Sequence, residues 1–269
     1  MREYAPIQAP ILQSDLLDSN YQYREYSPSR SLKDFVACYW TVDVNASDMN
    51  KLHRVIPDGC VDIIFDLKSP SFSRGAFVVG LMTEYEVLNF SAKSSFFGIR
   101  FYSDTARQFI CYPLSELIGN HVFLEDIWSN KALFLVEEMM SAQGISEIIK
   151  KVELMLLKFL ILNESHTDSL LKSSMDYMYA NQGMISIRML AEKVNYSERN
   201  IRRTFQKELG IGPKEFSGVI RFQSLLRELY FDSHSRFTDI AVKYGYFDQP
   251  HLIKSFKRYY GLSPTQIFK

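Results

Sequence analysis

The chain has 269 residues, 46% apolar and 14% aromatic, enough for packed cores and too apolar for a disordered polymer. Formal charge is zero, yet residues 1–170 hold 15 basic and 22 acidic side chains and the remainder 16 and 9, so the halves stand at −7 and +7. Apolar runs such as FLIL at 159–162 fall far short of the roughly 20 residues of a membrane span, and MREYAPIQAP lacks an apolar signal core; the expectation is a cytoplasmic protein joining an acidic module to a basic one suited to a polyanion.

From about residue 21 to 102 the pattern is β. FVACYWTVDV (35–44), VDIIFDL (61–67), AFVVGLM (76–82), EVLNFS (86–91) and SFFGIRFY (95–102) are short runs rich in Val, Ile, Phe and Tyr, bounded by turn residues. In Pro57-Asp58-Gly59 proline presets φ and glycine accepts positive φ, so this tripeptide reads as a tight connection. Successive short strands suit a sandwich or barrel whose mouth holds a small ligand, and Tyr39, Trp40, Phe65, Phe77, Phe97 and Phe101 are the candidates to line an effector pocket, with barrel core as the plainer role.

After Tyr102 the period changes. Ser103 or Asp104 is a candidate N-cap for a helix through TARQFI, and a second helix is expected within 130–142. Over 145–162, Ile145, Ile148, Ile149, Val152, Met155, Leu156 and Phe159 share one helical stripe, which Leu154, Leu157, Leu160 and Ile161 widen. A helix apolar around so much of its circumference is covered on more than one side, by its own domain or by a second copy in a homodimer. The polar NESHTDS (163–169) is the expected linker, dividing the chain into a regulatory region 1–168 and a second domain 169–269.

Cys38, Cys60 and Cys111 are widely spaced and form no C-x-x-C pair, so they read as buried thiols, with a redox or covalent sensor role as the alternative. His53, His121, His166 and His234 have no ligand spacing. Asp58, Asp62 and Asp66 recur every four residues but on turn and strand, where they do not converge as they would on a helix. No metal, cofactor or catalytic constellation is read.

The second half contains one pattern twice. Leu190-Ala191 and Tyr196 recur as Ile240-Ala241 and Tyr246 at an offset of 50. After one inserted residue the offset is 51, pairing Ile201 with Leu252, Phe205 with Phe256, Gly210 with Gly261 and Pro213 with Pro264. Each copy is a short helix, a turn and a longer helix begun by a capping residue, Ser197 or Asp248, in the order of a helix-turn-helix. Ile201 and Phe205 turn inward and leave Arg199, Arg202 and Arg203 outward; Leu252 and Phe256 do the same for Gln249, His251 and Lys254. Forked donors near a helix N-terminus are what base edges in a major groove require. Between the copies, residues 213–231 form a helix able to set their separation, which for one face of a duplex is roughly 34 Å.

At these residues the sequence resembles the AraC/XylS family of bacterial transcription regulators. IAVKYGYFDQPHLIKSFKRYYGLSPTQIF (240–268) is similar to the family's C-terminal signature, and LAEKVNYSERNIRRTFQKELGIGPKEF (190–216) to its upstream copy, so the likeness covers roughly 170–268. It implies an α+β protein: a C-terminal all-α domain of seven helices with two helix-turn-helix motifs joined by a linker helix, binding double-stranded DNA. Carried over, base contacts fall to Arg199, Arg202, Arg203, Gln249, Pro250, His251 and Lys254, and backbone contacts to Ser197, Lys207, Lys257 and Arg258. Tyr246 and His251 depart from the commonest family residues, and Pro250 cannot donate a backbone hydrogen bond. YW (39–40), PDGCVDIIF (57–65), FVVG (77–80) and FGIRF (97–101) resemble an N-terminal domain of some such regulators, implying a cupin-like β-barrel followed by dimerising helices, a small-molecule effector, and RNA polymerase as a partner. An effector-free regulator and an alkyltransferase using one of the three cysteines are the alternatives.

Overall fold

Hydrophobic alternation along the N-terminal strands places every second side chain on one face and builds a sheet with two different surfaces. The computed structural model describes residues 4–12, 21–45, 52–71, 73–89, 93–162, 168–231 and 237–268. A single helical turn α1 (Ala9–Leu12) precedes β1 (Tyr21–Tyr26), β2 (Val36–Val44), β3 (Leu52–Val55), β4 (Cys60–Asp66), β5 (Ala76–Val79), β6 (Glu86–Asn89), β7 (Ser94–Tyr102) and β8 (His121–Phe123). Six of these strands form an antiparallel sheet in the order β1-β2-β7-β4-β5-β8, while β3 and β6 pair as a separate ribbon.

Cross-strand register sorts the two faces. Tyr39, Ile99, Ile63 and Val78 form one row, and with Phe65, Phe97 and Phe101 they are buried in the main core against the helices. The neighbouring rows, Trp40-Gly98-Ile64-Phe77 and Cys38-Arg100-Asp62-Val79, point the other way. Gly98 lies under the Trp40 indole, where a Cβ would fall inside the ring's van der Waals envelope. The β half thus has a helix-backed face and a face turned toward the ribbon.

The helix expected through TARQFI is only a 3-10 turn, Ala106–Gln108, and neither Ser103 nor Asp104 caps it; its N-cap is Thr105, which makes no side-chain cap bond. α2 (Leu124–Trp128), α3 (Asn130–Met140) and α4 (Ile145–Leu162) follow. Ile148, Val152, Leu156 and Phe159 of α4 are buried, whereas Leu154, Ile161 and Leu162 are exposed. Most of the expected linker, residues 163–167 with His166, and likewise His234, lies outside the described residues.

From residue 168 the described chain is helical: α5 (Ser169–Ala180), α6 (Ile187–Val194), α7 (Glu198–Leu209), α8 (Pro213–Phe231), α9 (Phe237–Lys243), α10 (Gln249–Tyr260) and α11 (Pro264–Ile267). Ser197 accepts from the Asn200 N–H and Asp248 from the His251 N–H, so each long helix of the repeat starts on a side-chain cap. Each ends on a glycine at positive φ, Gly210 (76°) and Gly261 (83°), the left-handed conformation glycine adopts without steric cost.

The two halves share a core. Leu170, Met175, Met178, Leu190, Ile201, Phe205 and Phe216 belong to the same apolar cluster as the sheet, while α9 and α10 pack on α8 in a second cluster that takes in Ile7, Ala9 and Ile56. Polar links cross the same boundary. Gln223 of α8 donates to the Ile7 and Pro57 carbonyls (3.2 and 2.8 Å) and accepts from the Ile7 N–H (2.8 Å). Arg107 pairs with the buried Glu208, and Arg54 donates to the Tyr260 carbonyl (2.7 Å).

Candidate nucleic-acid interface and ligand cavity

In α7 the four-residue spacing of Ile201 and Phe205 buries both fully and turns Arg199, Arg202 and Arg203 to solvent. Arg202 is held by Glu198 one turn back (2.8 Å), an exposed pair that exchanges readily for a phosphate or a base. Lys207 pairs with Glu208 (2.9 Å), and the Ser197 hydroxyl serves as the cap.

In α10, Leu252 and Phe256 are buried and Gln249, Pro250, His251, Lys254, Lys257 and Arg258 are exposed. Pro250 occupies the first turn, where its missing N–H breaks no helical hydrogen bond. His251 Nδ1 accepts from the Phe247 N–H (3.3 Å), and its ring stands edge-on to Tyr246. Arg258 is engaged by Glu215 (2.9 Å) of α8 and Glu84 (3.3 Å) of the β half. Phe247, 92% exposed at the turn before α10, was not singled out in the sequence.

These helices occur where sequence families also match. Residues 190–269 match the helix-turn-helix domain model and residues 24–123 a domain of unknown function (DUF6597). Residues 190–269 thus form a helix-turn-helix domain. An uncharacterized HTH-type transcriptional regulator of Haemophilus influenzae is 38% identical over 86 residues, a stretch covering 31% of this chain and 28% of that protein. Among solved structures, the C-terminal domain of AraT from Geobacillus stearothermophilus is 25% identical, covering 38% of this chain and 86% of that one at a TM-score of 0.35. ToxT from Vibrio cholerae is 13% identical over 92% of this chain and 97% of its own at 0.41. The helix-turn-helix domain here has α6-α7 and α9-α10 as its two units, with α8 between them.

Between the sheet and the ribbon lies a cavity of about 770 Å³. Of the six aromatic residues expected to line a pocket, Trp40 and Phe77 do so; Tyr39, Phe65, Phe97 and Phe101 face the opposite side of the sheet and are wholly buried. Strand alternation is the reason, since Tyr39 and Trp40 are neighbours and point to opposite faces.

Sequence reading missed the charged floor of this cavity. Arg100 donates through Nε and Nη2 to the two oxygens of Asp62 (3.2 and 3.0 Å) and forms ion pairs with Asp58 (3.0 Å from Nε) and Glu25 (3.7 Å from Nη1). Asp62 also accepts from Trp40 Nε1 (2.9 Å), while Asp58 accepts from Gln8 Nε2 (2.8 Å) and the Cys60 N–H (2.9 Å). Burial raises the Asp62 carboxyl above its usual range; Arg100 opposes that shift and Asp58 adds to it. Burial also pushes the His53 imidazole down to about 4, leaving it neutral beside Tyr21. The available signal was Arg100, the lone charge in the apolar run FFGIRFY of β7.

Cys38 and Cys60 are buried, but Cys111 is exposed, against the expectation that all three are internal. Among the described residues no helix is long and apolar enough to cross a membrane, and no group of His, Cys, Asp and Glu could hold a metal ion.

Proposed function

We propose that the chain is a sequence-specific DNA-binding transcription regulator: residues 169–269 read DNA, and residues 1–168 sense a small effector. The observation that carries this reading is the duplicated motif with different exposed side chains in equivalent places, Arg199, Arg202 and Arg203 on α7 against Gln249, Pro250, His251 and Lys254 on α10. Shared anchors with divergent readers suit two major-groove segments of unlike sequence. Ser197, Lys207, Lys257 and Arg258 are assigned to the DNA backbone, which positions without specifying. Such a role places the protein in the cytoplasm, with RNA polymerase as a partner by family resemblance.

The proposed role is binding, and neither buried cysteine is poised as a nucleophile. Burial pushes the Cys38 and Cys60 thiols well above their usual range, the reverse of what a nucleophilic cysteine needs. Exposed Leu154, Ile161 and Leu162 on α4, beside Phe134 of α3, favour a homodimer through 145–162. Selecting duplexes from a random pool with the purified chain tests the regulator reading. Enrichment of a bipartite site is expected; an unenriched pool overturns it. Sedimentation of Leu154→Glu tests the dimer, a monomeric variant from a dimeric parent being the expected result.

A further inference from the structure

The cavity floor carries more negative than positive charge. One guanidinium, Arg100, lies buried between Asp58 and Asp62, with Glu25 at 3.7 Å: Nε and Nη2 both donate to Asp62 (3.2 and 3.0 Å), Nε is 3.0 Å from Asp58, and Nη1 is turned to the Cys38 sulfur. The Nε/Nη2 edge of Arg100 is already taken by Asp62, and an incoming carboxylate or phosphate would add charge to an acidic floor. Neutral His53 offers no compensation. Nearer the rim, Asp66 and Glu86 outnumber Arg74, and Glu84 is engaged by Arg258. An excess carboxylate beside apolar walls is unfavourable unless a proton or a cation meets it.

The walls suit the second alternative. Tyr23 and Trp40 lie stacked above this floor with ring centroids 6.5 Å apart and planes at 27°, and Phe77 and Phe96 extend the aromatic lining. Aromatic faces attract cations, most strongly where water is displaced. A volume of about 770 Å³ is that of a site for a drug-sized molecule.

We propose that the cavity between the six-stranded sheet and the β3-β6 ribbon binds an amphipathic organic cation, an amine or quaternary ammonium on an apolar body, its charge beside Asp62 and against the Trp40 ring. The assignment rests on the reading of the β half as a sensor and names the chemical class it senses. Arg100 here organises the carboxylates instead of contacting the ligand's charge.

Titration calorimetry of the full chain with benzyltrimethylammonium, 2-phenylethanol and 3-phenylpropionate tests it. The cation binds at least about tenfold tighter than the alcohol, the carboxylate does not saturate, and Asp62→Asn weakens the cation about tenfold while sparing the alcohol. If that variant fails to fold, the ranking on the parent chain decides. Equal or tighter binding of the alcohol or carboxylate, lost in Trp40→Leu, overturns the cation class and leaves the sensor reading standing. Saturable binding by none of the three overturns both.

Discussion

Replacing Gln223 by methionine keeps the length of the side chain and removes only its amide. Gln223 is 2% exposed and pairs with three backbone groups of the β half, the Ile7 N–H and the Ile7 and Pro57 carbonyls. At ~1 kcal/mol net per hydrogen bond, and more for a buried group left unpaired, the loss comes to about 3 kcal/mol. Local relaxation around Ile7 can turn part of its backbone to water, which brings the expected loss to ~2–3 kcal/mol. Urea unfolding followed by far-UV circular dichroism measures it, with Gln206→Met as the reference. Gln206 donates to the Gly210 carbonyl at an exposed position, so its replacement costs less than ~0.5 kcal/mol. Equal midpoints for the two variants would refute the claim that Gln223 fastens the helical half to the β half.

Gly98→Ala places a methyl group against the Trp40 indole and costs ~1–3 kcal/mol, with a shift in tryptophan emission as the ring is displaced; an unshifted spectrum at unchanged stability contradicts the close approach. Arg203→Ala weakens binding to the selected duplex by ~1–3 kcal/mol and relaxes preference at one base pair, whereas Lys257→Ala weakens all duplexes alike and lowers the salt slope by about one; gel shifts over a salt series separate these outcomes. Burial works to raise the Glu208 carboxyl, but Lys207 and Arg107 hold it below the usual carboxylate range. Its contribution is therefore complete above the unfolded pKa of about 4.3 and is lost as pH falls through the lower folded value. Glu208→Gln should flatten that acid limb of a stability-pH profile, and a limb of unchanged steepness would remove Glu208 from the interface.

Much of the helix-turn-helix half was legible because its signals are local. A capping oxygen at Ser197 or Asp248, apolar residues four apart and a terminal glycine each determine a structure within one or two turns, and the second copy repeats them. The β half was legible as strands and less so as a site. Tyr39 and Trp40 differ little as letters, and which of them faces the cavity depends on register with β7 and on what covers each face of the sheet. Asp58, Asp62 and Arg100 meet across turn, strand and neighbouring strand, a convergence set by pairing that sequence spacing does not display. Gln223 and Glu208 are polar residues on helices whose solvent side is covered by the other half of the chain, information that belongs to docking and not to helical period.

The paired glycines do more than end their helices. A Cβ on Gly210 would meet Ser115 at 2.7 Å and Ile118 at 2.8 Å, and one on Gly261 would meet Arg54 and Tyr85, so the β half rests on the same point of each repeat. α8 alone would join the two reading helices as a single bar, free to bow or twist; with both seats occupied the arrangement is a braced frame. Changing the distance between α7 and α10 then requires bending α8 or lifting one seat, so under the proposed reading tolerance for altered spacing between two half-sites is controlled as much by the surface turned away from DNA as by the helices turned toward it.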